Sequence, residues 1–370
     1  MSSLEQVILK SREILQQSGP QPALKYLKSF KQYKSQVEYF QTIGEIYLEK
    51  GELEKAYNNL SKALELDPKG IKGYGKFFYL GQIFGGIKGV ELINQGLNLI
   101  YQKFEEISSQ NSKEELDYSL VKDFNFGIFT QIEIWMTDLC MEEEAEFKCN
   151  ELINKSLEID ETNPESWSLL TSIKISQNLP QEAKQTLIKS WEYFQLKKNQ
   201  LQESQQRDEI NINHEIIELI QPLINLLRLS IELMEFQISL EISQFIKDFD
   251  EDNVDNLYLS GFAIYLKLKK PLYDLKYSSI EFNYENFEKF KLDLNQLEEN
   301  DENLLYVKLM VEDFNKVLKI SERDEESIDP DIIQQSKNLL NEINSDSLNQ
   351  LQFENDEVNE DNWEDEIESD

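Results

Sequence analysis

Residues 37–70 read VEYFQTIGEIYLEKGELEKAYNNLSKALELDPKG, and the spacing within this stretch decides the fold. Phe40, Ile43, Gly44 and Tyr47 recur at helical intervals, as do Ala56, Leu60 and Ala63 further on. The two runs predict a pair of helices. Gly44 and Ala56 have almost no side chain, so the two helices can approach closely there, and Ala63 gives the same freedom against the next pair. Pro68 lacks an amide hydrogen and stops the second helix.

A second stretch with this register runs over 164–197, where Trp167, Leu170, Ala183, Leu187 and Ser190 take the equivalent places and Pro164 stands at the tolerated helix start. Counting back from it gives a unit at 130–163, with Met136, Thr137, Cys140, Cys149, Ile153 and Ser156 in phase, which makes both cysteines small packing residues. Weaker units follow residue 70, through Phe77, Leu80, Gly81 and Phe84, and begin near Val254, through Leu257, Gly261 and Ile264. This is the 34-residue pattern of the tetratricopeptide repeat. The expected fold is an all-α tetratricopeptide superhelix (an α-solenoid) with a concave acidic groove. No strand-like alternation of useful length interrupts it.

The organisation expected along the chain is a capping helical pair at 1–36, tetratricopeptide repeats at 37–197 and a polar loop at 198–213. A helical and repeat-like region at 214–345 and an acidic, disordered tail at 346–370 complete it. The last 17 residues hold ten acids, no base and Trp363, a composition that does not bury a core. Trp363 is open to two functional readings, docking back on the chain or contact with a cationic partner, set against a third in which the tail is only a solubilising brush.

Composition narrows the function. The chain has 370 residues, with 37 basic against 71 acidic side chains and a net charge of −34. Such a surface repels nucleic-acid phosphates and anionic lipids, so direct binding to either is not expected, whereas cationic partners are attracted. The most apolar stretch, Ile216 to Leu240, is broken by Glu218, Pro222, Arg228, Glu232 and Glu235, which rules against a membrane span. Neither a signal peptide nor a basic nuclear-import cluster stands out. His214 has no second histidine to pair with, and Cys140 and Cys149 form no C-x-x-C pair, so no metal, cofactor or catalytic group is assigned.

In a stack of helix pairs the leading helices line the concave face, at positions 2, 5, 9, 12 and 13 of each unit. These are Glu38, Gln41, Glu45, Leu48 and Glu49 in the first unit, and Gln131, Ile134, Asp138, Met141 and Glu142 in the 130 unit. In the 164 unit they are Glu165, Ser168, Ser172, Ile175 and Ser176; near 254 they are Asp255, Tyr258, Phe262, Tyr265 and Leu266. From these, Glu38, Gln41, Glu45, Glu49, Asp138, Glu142, Glu165, Asp255, Tyr258 and Phe262 are the candidate partner-binding residues. Acid and aromatic rings without lysine or arginine suit a Lys/Arg-rich segment. The same acids would also serve as an ordinary solvated helix face.

Four strings carry a family resemblance: YLGQIFGG at 79–86, IWMTDLCMEEEAEFKCNELINKSLEIDETNPESW at 134–167, SIKISQ at 172–177 and NLYLSGFAIYL at 256–266. With the tryptophan-bearing acidic end, they resemble the dedicated assembly chaperones of large-subunit ribosomal protein L4. The resemblance runs from about residue 37 to the end and departs around 281–313. It implies a non-enzymatic protein without cofactor; separately, the chain is expected to be a monomer before client binding. Such a protein shields the basic extended loop of newly made L4 and accompanies its client from cytoplasm to nucleus for large-subunit assembly. The alternative is a general tetratricopeptide adaptor within a multiprotein complex.

Overall fold

A computed structural model describes residues 3–109, 118–204, 209–278, 282–297, 301–323 and 328–343. Among these residues every long element is an α-helix and none is a strand. The chain divides into two compact units, 1–200 and 201–370. The expected acidic tail at 346–370 lies outside the described residues.

Unit 1 opens with α1 (Leu4–Ser18) and α2 (Pro20–Ser29). Ser3 caps α1 reciprocally: its hydroxyl accepts from the Gln6 amide at 3.3 Å and its own amide donates to Gln6 Oε1 at 3.1 Å. Val7, Ala23, Leu24 and Leu27 bury the inner side of this pair against Tyr39, Ile43, Ile46 and Leu60 of α3 (Val37–Glu49) and α4 (Leu53–Leu66). The expected close contact is present. A Cβ built on Gly44 would lie 2.5 Å from Leu60 Cγ, and Leu60 is fully buried.

Asp67 ends α4 and organises the turn that follows. Its carboxylate accepts from the amides of Ile71 (3.0 Å) and Lys72 (2.8 Å) and from the fully buried Lys76 ammonium (2.9 Å). Burial pushes the Asp67 pKa upward, but Lys76 and the two amides outweigh it and hold the carboxyl below its ordinary value.

Next come α5 (Gly75–Phe84) and α6 (Gly86–Ser109), whose backbones nearly touch. A Cβ on Gly89 would stand 2.4 Å from the Gly81 carbonyl oxygen and 3.0 Å from Ile134 Cδ1. Then follow α7 (Tyr118–Met136), α8 (Ala145–Ile159), α9 (Pro164–Ser176) and α10 (Pro180–Ser204). Phe77, Phe78, Ile93, Phe124, Ile128, Ile132, Trp135 and Ile153 form one core across α5–α8. Three polar side chains buried between these helices satisfy one another: the Ser156 hydroxyl meets Asn125 Oδ1 and Ser166 Oγ, both at 2.7 Å.

Unit 2 contains α11 (Glu209–Glu232), α12 (Phe236–Lys247), α13 (Val254–Lys276), α14 (Tyr284–Lys289), α15 (Asp301–Ser321) and α16 (Pro330–Ile343). Ile264, Tyr265, Leu268, Val307, Met310, Phe314, Leu340 and Ile343 make its core. The Lys247 ammonium donates to both oxygens of buried Asp313, at 2.6 and 2.8 Å, and ties α12 to α15. The stretch expected as a polar loop at 198–213 is instead taken up by the end of α10 and the start of α11, with 205–208 outside the described residues. Gln- and Asn-rich composition is compatible with helix when no proline or glycine punctuates it, and none does between Pro180 and Pro222.

One turn recurs. In the first unit Gly51 N–H donates to Leu48 O (2.8 Å) and Glu52 N–H to Tyr47 O (2.9 Å). Asn178 and Leu179 repeat this pairing onto Ile175 and Lys174, and Met234 and Glu235 repeat it onto Ile231 and Ser230. Gly51, Asn178 and Met234 all sit in the left-handed region, at φ +74°, +57° and +56°. Taking Met234 as position 15 sets a repeat at 220–253, directly ahead of the one at 254. The helical apolar pattern of 214–247 therefore contains a further repeat in phase with its successor.

Gly89→Ala is expected to destabilise unit 1. Overpacking against a backbone oxygen costs about 1–3 kcal/mol, more than the roughly 1 kcal/mol of helix propensity that alanine adds. Thermal unfolding followed by circular dichroism checks this; an unchanged or raised midpoint contradicts the close contact.

Candidate partner-binding surface

On α3 the candidate residues lie side by side. Glu38, Gln41 and Glu45 are half-buried and Glu49 is exposed. The matching positions of the next unit are Lys72, in the turn ahead of α5, and Gly75 and Tyr79 on α5 itself. Lys72 Nζ reaches Glu38 Oε1 at 3.3 Å. A Cβ on Gly75 would stand 2.8 Å from Gln41 Nε2, so the glycine makes room for that side chain. Gln41 in turn donates to Glu45 Oε1 at 2.9 Å, and Arg12 of α1 donates to Glu45 Oε2 at 3.1 Å. These positions share one surface, but it is not purely acidic: Lys72 stands at a repeat position, and Arg12 enters from the capping pair. Partly exposed ion pairs are worth about 0–1 kcal/mol, so an incoming cation can exchange with them at small cost. Glu49 makes no ion pair among the described residues.

The 130 unit departs from the register. Its leading helix α7 begins at Tyr118, earlier than the expected 130, and ends at Met136, so residues 137–144 are a turn. Gln131 and Ile134 are buried, and Gln131 Nε2 donates to Asn94 Oδ1 at 3.3 Å. Asp138, expected on a helix, accepts instead from the Gly86 amide at 2.8 Å and caps the start of α6. A Cβ on Gly85 would fall 2.2 Å from that same Asp138 oxygen, so the carboxylate occupies the space a side chain would fill. Met141 is 93% exposed and Glu142 exposed on the same turn. The cysteine reading is corrected in part: Cys149 is buried, and burial pushes its thiol up to about 11, whereas Cys140 is exposed on the turn. Glu165 sits half-buried in the first turn of α9, where the Asn163 side chain accepts from its amide at 2.9 Å. The carboxylate stands near the positive end of that helix.

In unit 2 the repeat at 220 changes the picture most. Its positions 9, 12 and 13 are Arg228, Ile231 and Glu232, and they line a cavity of about 310 Å³ with Tyr258, Leu259 and Phe262 of α13. Tyr258 and Phe262 stack at 5.9 Å with planes 8° apart, and Phe262 continues onto Tyr265 at 6.4 Å. The Tyr258 hydroxyl donates to Gln335 Oε1 of α16. Arg228 Nη2 donates to Asp255 Oδ1 at 3.0 Å, with both side chains half exposed. The candidate pair Tyr258 and Phe262 thus forms one wall of a cavity whose opposite wall belongs to the unrecognised repeat. The absence of basic residues expected from the positions first counted does not hold once Arg228 is included.

Comparison with known proteins follows this division. A tetratricopeptide-repeat model matches residues 27–69, and a model described as the ACL4 C-terminal domain matches residues 252–363. That second match includes 281–313, where the family strings gave out. A protein of Schizosaccharomyces pombe named as a probable assembly chaperone of rpl4 is 26% identical over 272 residues, 72% of this chain and 75% of the relative. The chain resembles the L4 assembly chaperones. A protein of Emericella nidulans with the same name is 29% identical over 168 residues, 43% of this chain and 40% of the relative. The solved structure of Assembly Chaperone of RpL4 (Acl4), residues 1–338, shares the fold, with a TM-score of 0.52 at 20% identity; the match covers 74% of this chain and all of that one. No helix among the described residues is long and apolar enough to cross a membrane.

Substitution separates structural acids from accessible ones. Asp138→Ala is expected to lower the stability of unit 1 by about 1 kcal/mol through loss of a helix cap. Glu142→Ala, four residues on, is expected to stay within about 0.5 kcal/mol of the parent. Urea unfolding of both variants checks this, and equal midpoints contradict the capping role.

Proposed function

We propose that this chain is an assembly chaperone of ribosomal protein L4, binding the newly made protein without catalysing a reaction. The similarity to the S. pombe protein along most of both chains carries this reading. The finer steps are these. Within each unit the leading-helix faces present a concave, net acidic surface that receives part of the basic extended loop of L4, standing in for rRNA phosphates until assembly. In unit 1 Glu38, Gln41, Glu45, Glu49, Glu142 and Glu165 supply acceptors; in unit 2 Asp255 does so beside the aromatic wall of Tyr258 and Phe262, which suits cationic side chains. A chain with net charge −34 speeds encounter with such a client, and the contact weakens as salt screens it. The monomeric chaperone carries its client from cytoplasm to nucleus, entering on the client's own import signal.

The intrachain pairs Arg12–Glu45, Lys72–Glu38 and Arg228–Asp255 favour a second reading, an adaptor whose acids serve its own fold.

The two readings separate on Glu45→Lys combined with Glu49→Lys, assayed with purified L4. A chaperone that uses this face should lose at least about tenfold in affinity, a loss worth about 1.4 kcal/mol, and bind less tightly still as salt is raised. Unchanged affinity, with the variant folded, favours the adaptor.

A further inference from the structure

Unit 2 carries a second cavity, of about 420 Å³, whose chemistry runs against the charge of the whole chain. It is lined by Lys276, Lys289 and Lys291 around the rings of Tyr277 and Phe290, with Asn286 and Gln296 at its rim. The lysines are exposed and the two rings half-buried. Lys276 Nζ stands 5.3 Å from the Phe290 ring centre and 5.7 Å from that of Tyr277. Nearby acids compensate only in part. Glu285 pairs with Lys289 at 2.5 Å and Asp293 accepts from Gln296 at 2.8 Å, while Lys291 makes no ion pair among the described residues. Cations clustered on aromatic rings fit a ligand that is both anionic and aromatic.

We infer that the occupant is the chain's own C-terminal segment Glu354–Asp370, with Trp363 on the Tyr277 and Phe290 rings and its flanking acids on the three lysines. The segment holds ten acids and no base around that single tryptophan. Where the described chain ends supplies the second observation. Glu342 Oε1 accepts from the Leu292 amide at 3.1 Å, and Ile343 is buried in the same core as Leu292. Leu292 directly follows Lys291. The path to the tail therefore starts beside the cavity, and the twenty residues from Ile343 to Trp363 can span up to about 66 Å, ample for the return. A tether of this length holds the segment near its site at an effective concentration of about millimolar, so contacts of modest strength suffice. The C-terminal family match, 252–363, includes both the cavity and Trp363. The inference does not depend on the L4 reading.

The test uses the intact chain. Carbodiimide coupling joins contacting carboxylates to lysines without a spacer, and mass spectrometry reads the pairs. Carboxylates of 354–370 are expected to couple to Lys276, Lys289 and Lys291 within one molecule, in a mixture of isotope-labelled and unlabelled chains. Links only between molecules, or tail links spread over lysines throughout the chain, overturn the proposal. Trp363 fluorescence, taken as the difference between the parent and Trp363→Phe, should be shielded from acrylamide. Lys276→Glu with Lys291→Glu should abolish that shielding. Both lysines are exposed, and circular dichroism verifies that the variant keeps its helices. Quenching of Trp363 that is identical in parent and variant also overturns the assignment.

Discussion

The packing of α3 on α4, of α5 on α6 and of α13 on α15 depends in each case on a glycine that lets the facing helix come close. At Gly44 the approach is to Leu60, at Gly81 and Gly89 backbone meets backbone, and at Gly261 a Cβ would stand 2.8 Å from the Phe314 ring. Removing the side chain on one helix lets the facing ridge of the other fill the gap at interior density. Glycine inside a helix costs about 1 kcal/mol in propensity, and the packing gained at these crossings offsets it. Leading helices set this close to their partners bring Glu38 to Lys72 and Gln41 to Gly75, and they put Tyr258 and Phe262 opposite Ile231.

The turn between paired helices is the other fixed part. Gly51 takes a left-handed conformation at no steric cost, but Asn178 and Met234 adopt it too. Asparagine tolerates it by local hydrogen bonding; methionine has no such help. At Met234 the strain is small beside the two backbone hydrogen bonds that close the turn and the buried Ser230–Ser239 contact across the pair at 2.8 Å. The architecture imposes the turn on whichever residue occupies the position.

This explains what could be read from residues alone. The unit at 37–70 was legible because its small residues, its aromatics and its proline all fall in register. The repeat at 220 was hidden: Leu227 stands where a small residue is usual, Pro222 lies inside its leading helix, and a polar stretch breaks the spacing from the unit at 164. The 130 unit was misread in its geometry, because register places Asp138 on a helix while α7 starts twelve residues early and turns before reaching it. The ion pairs of Glu38, Glu45 and Asp255 were invisible, since a charge pattern gives no sign of which cation folds over it from another helix. Charge content was legible and charge placement was not.

The functional account joins similarity to a named chaperone with a physical expectation: an acid-rich repeat face exchanges its weak internal ion pairs for the cations of a client. Titration calorimetry of the purified chain with L4, and with L4 lacking its basic extended loop, tests this most directly. The account predicts one-to-one binding to intact L4 that is lost without the loop and weakens steeply with salt. Equal affinity for both forms of L4 would contradict it.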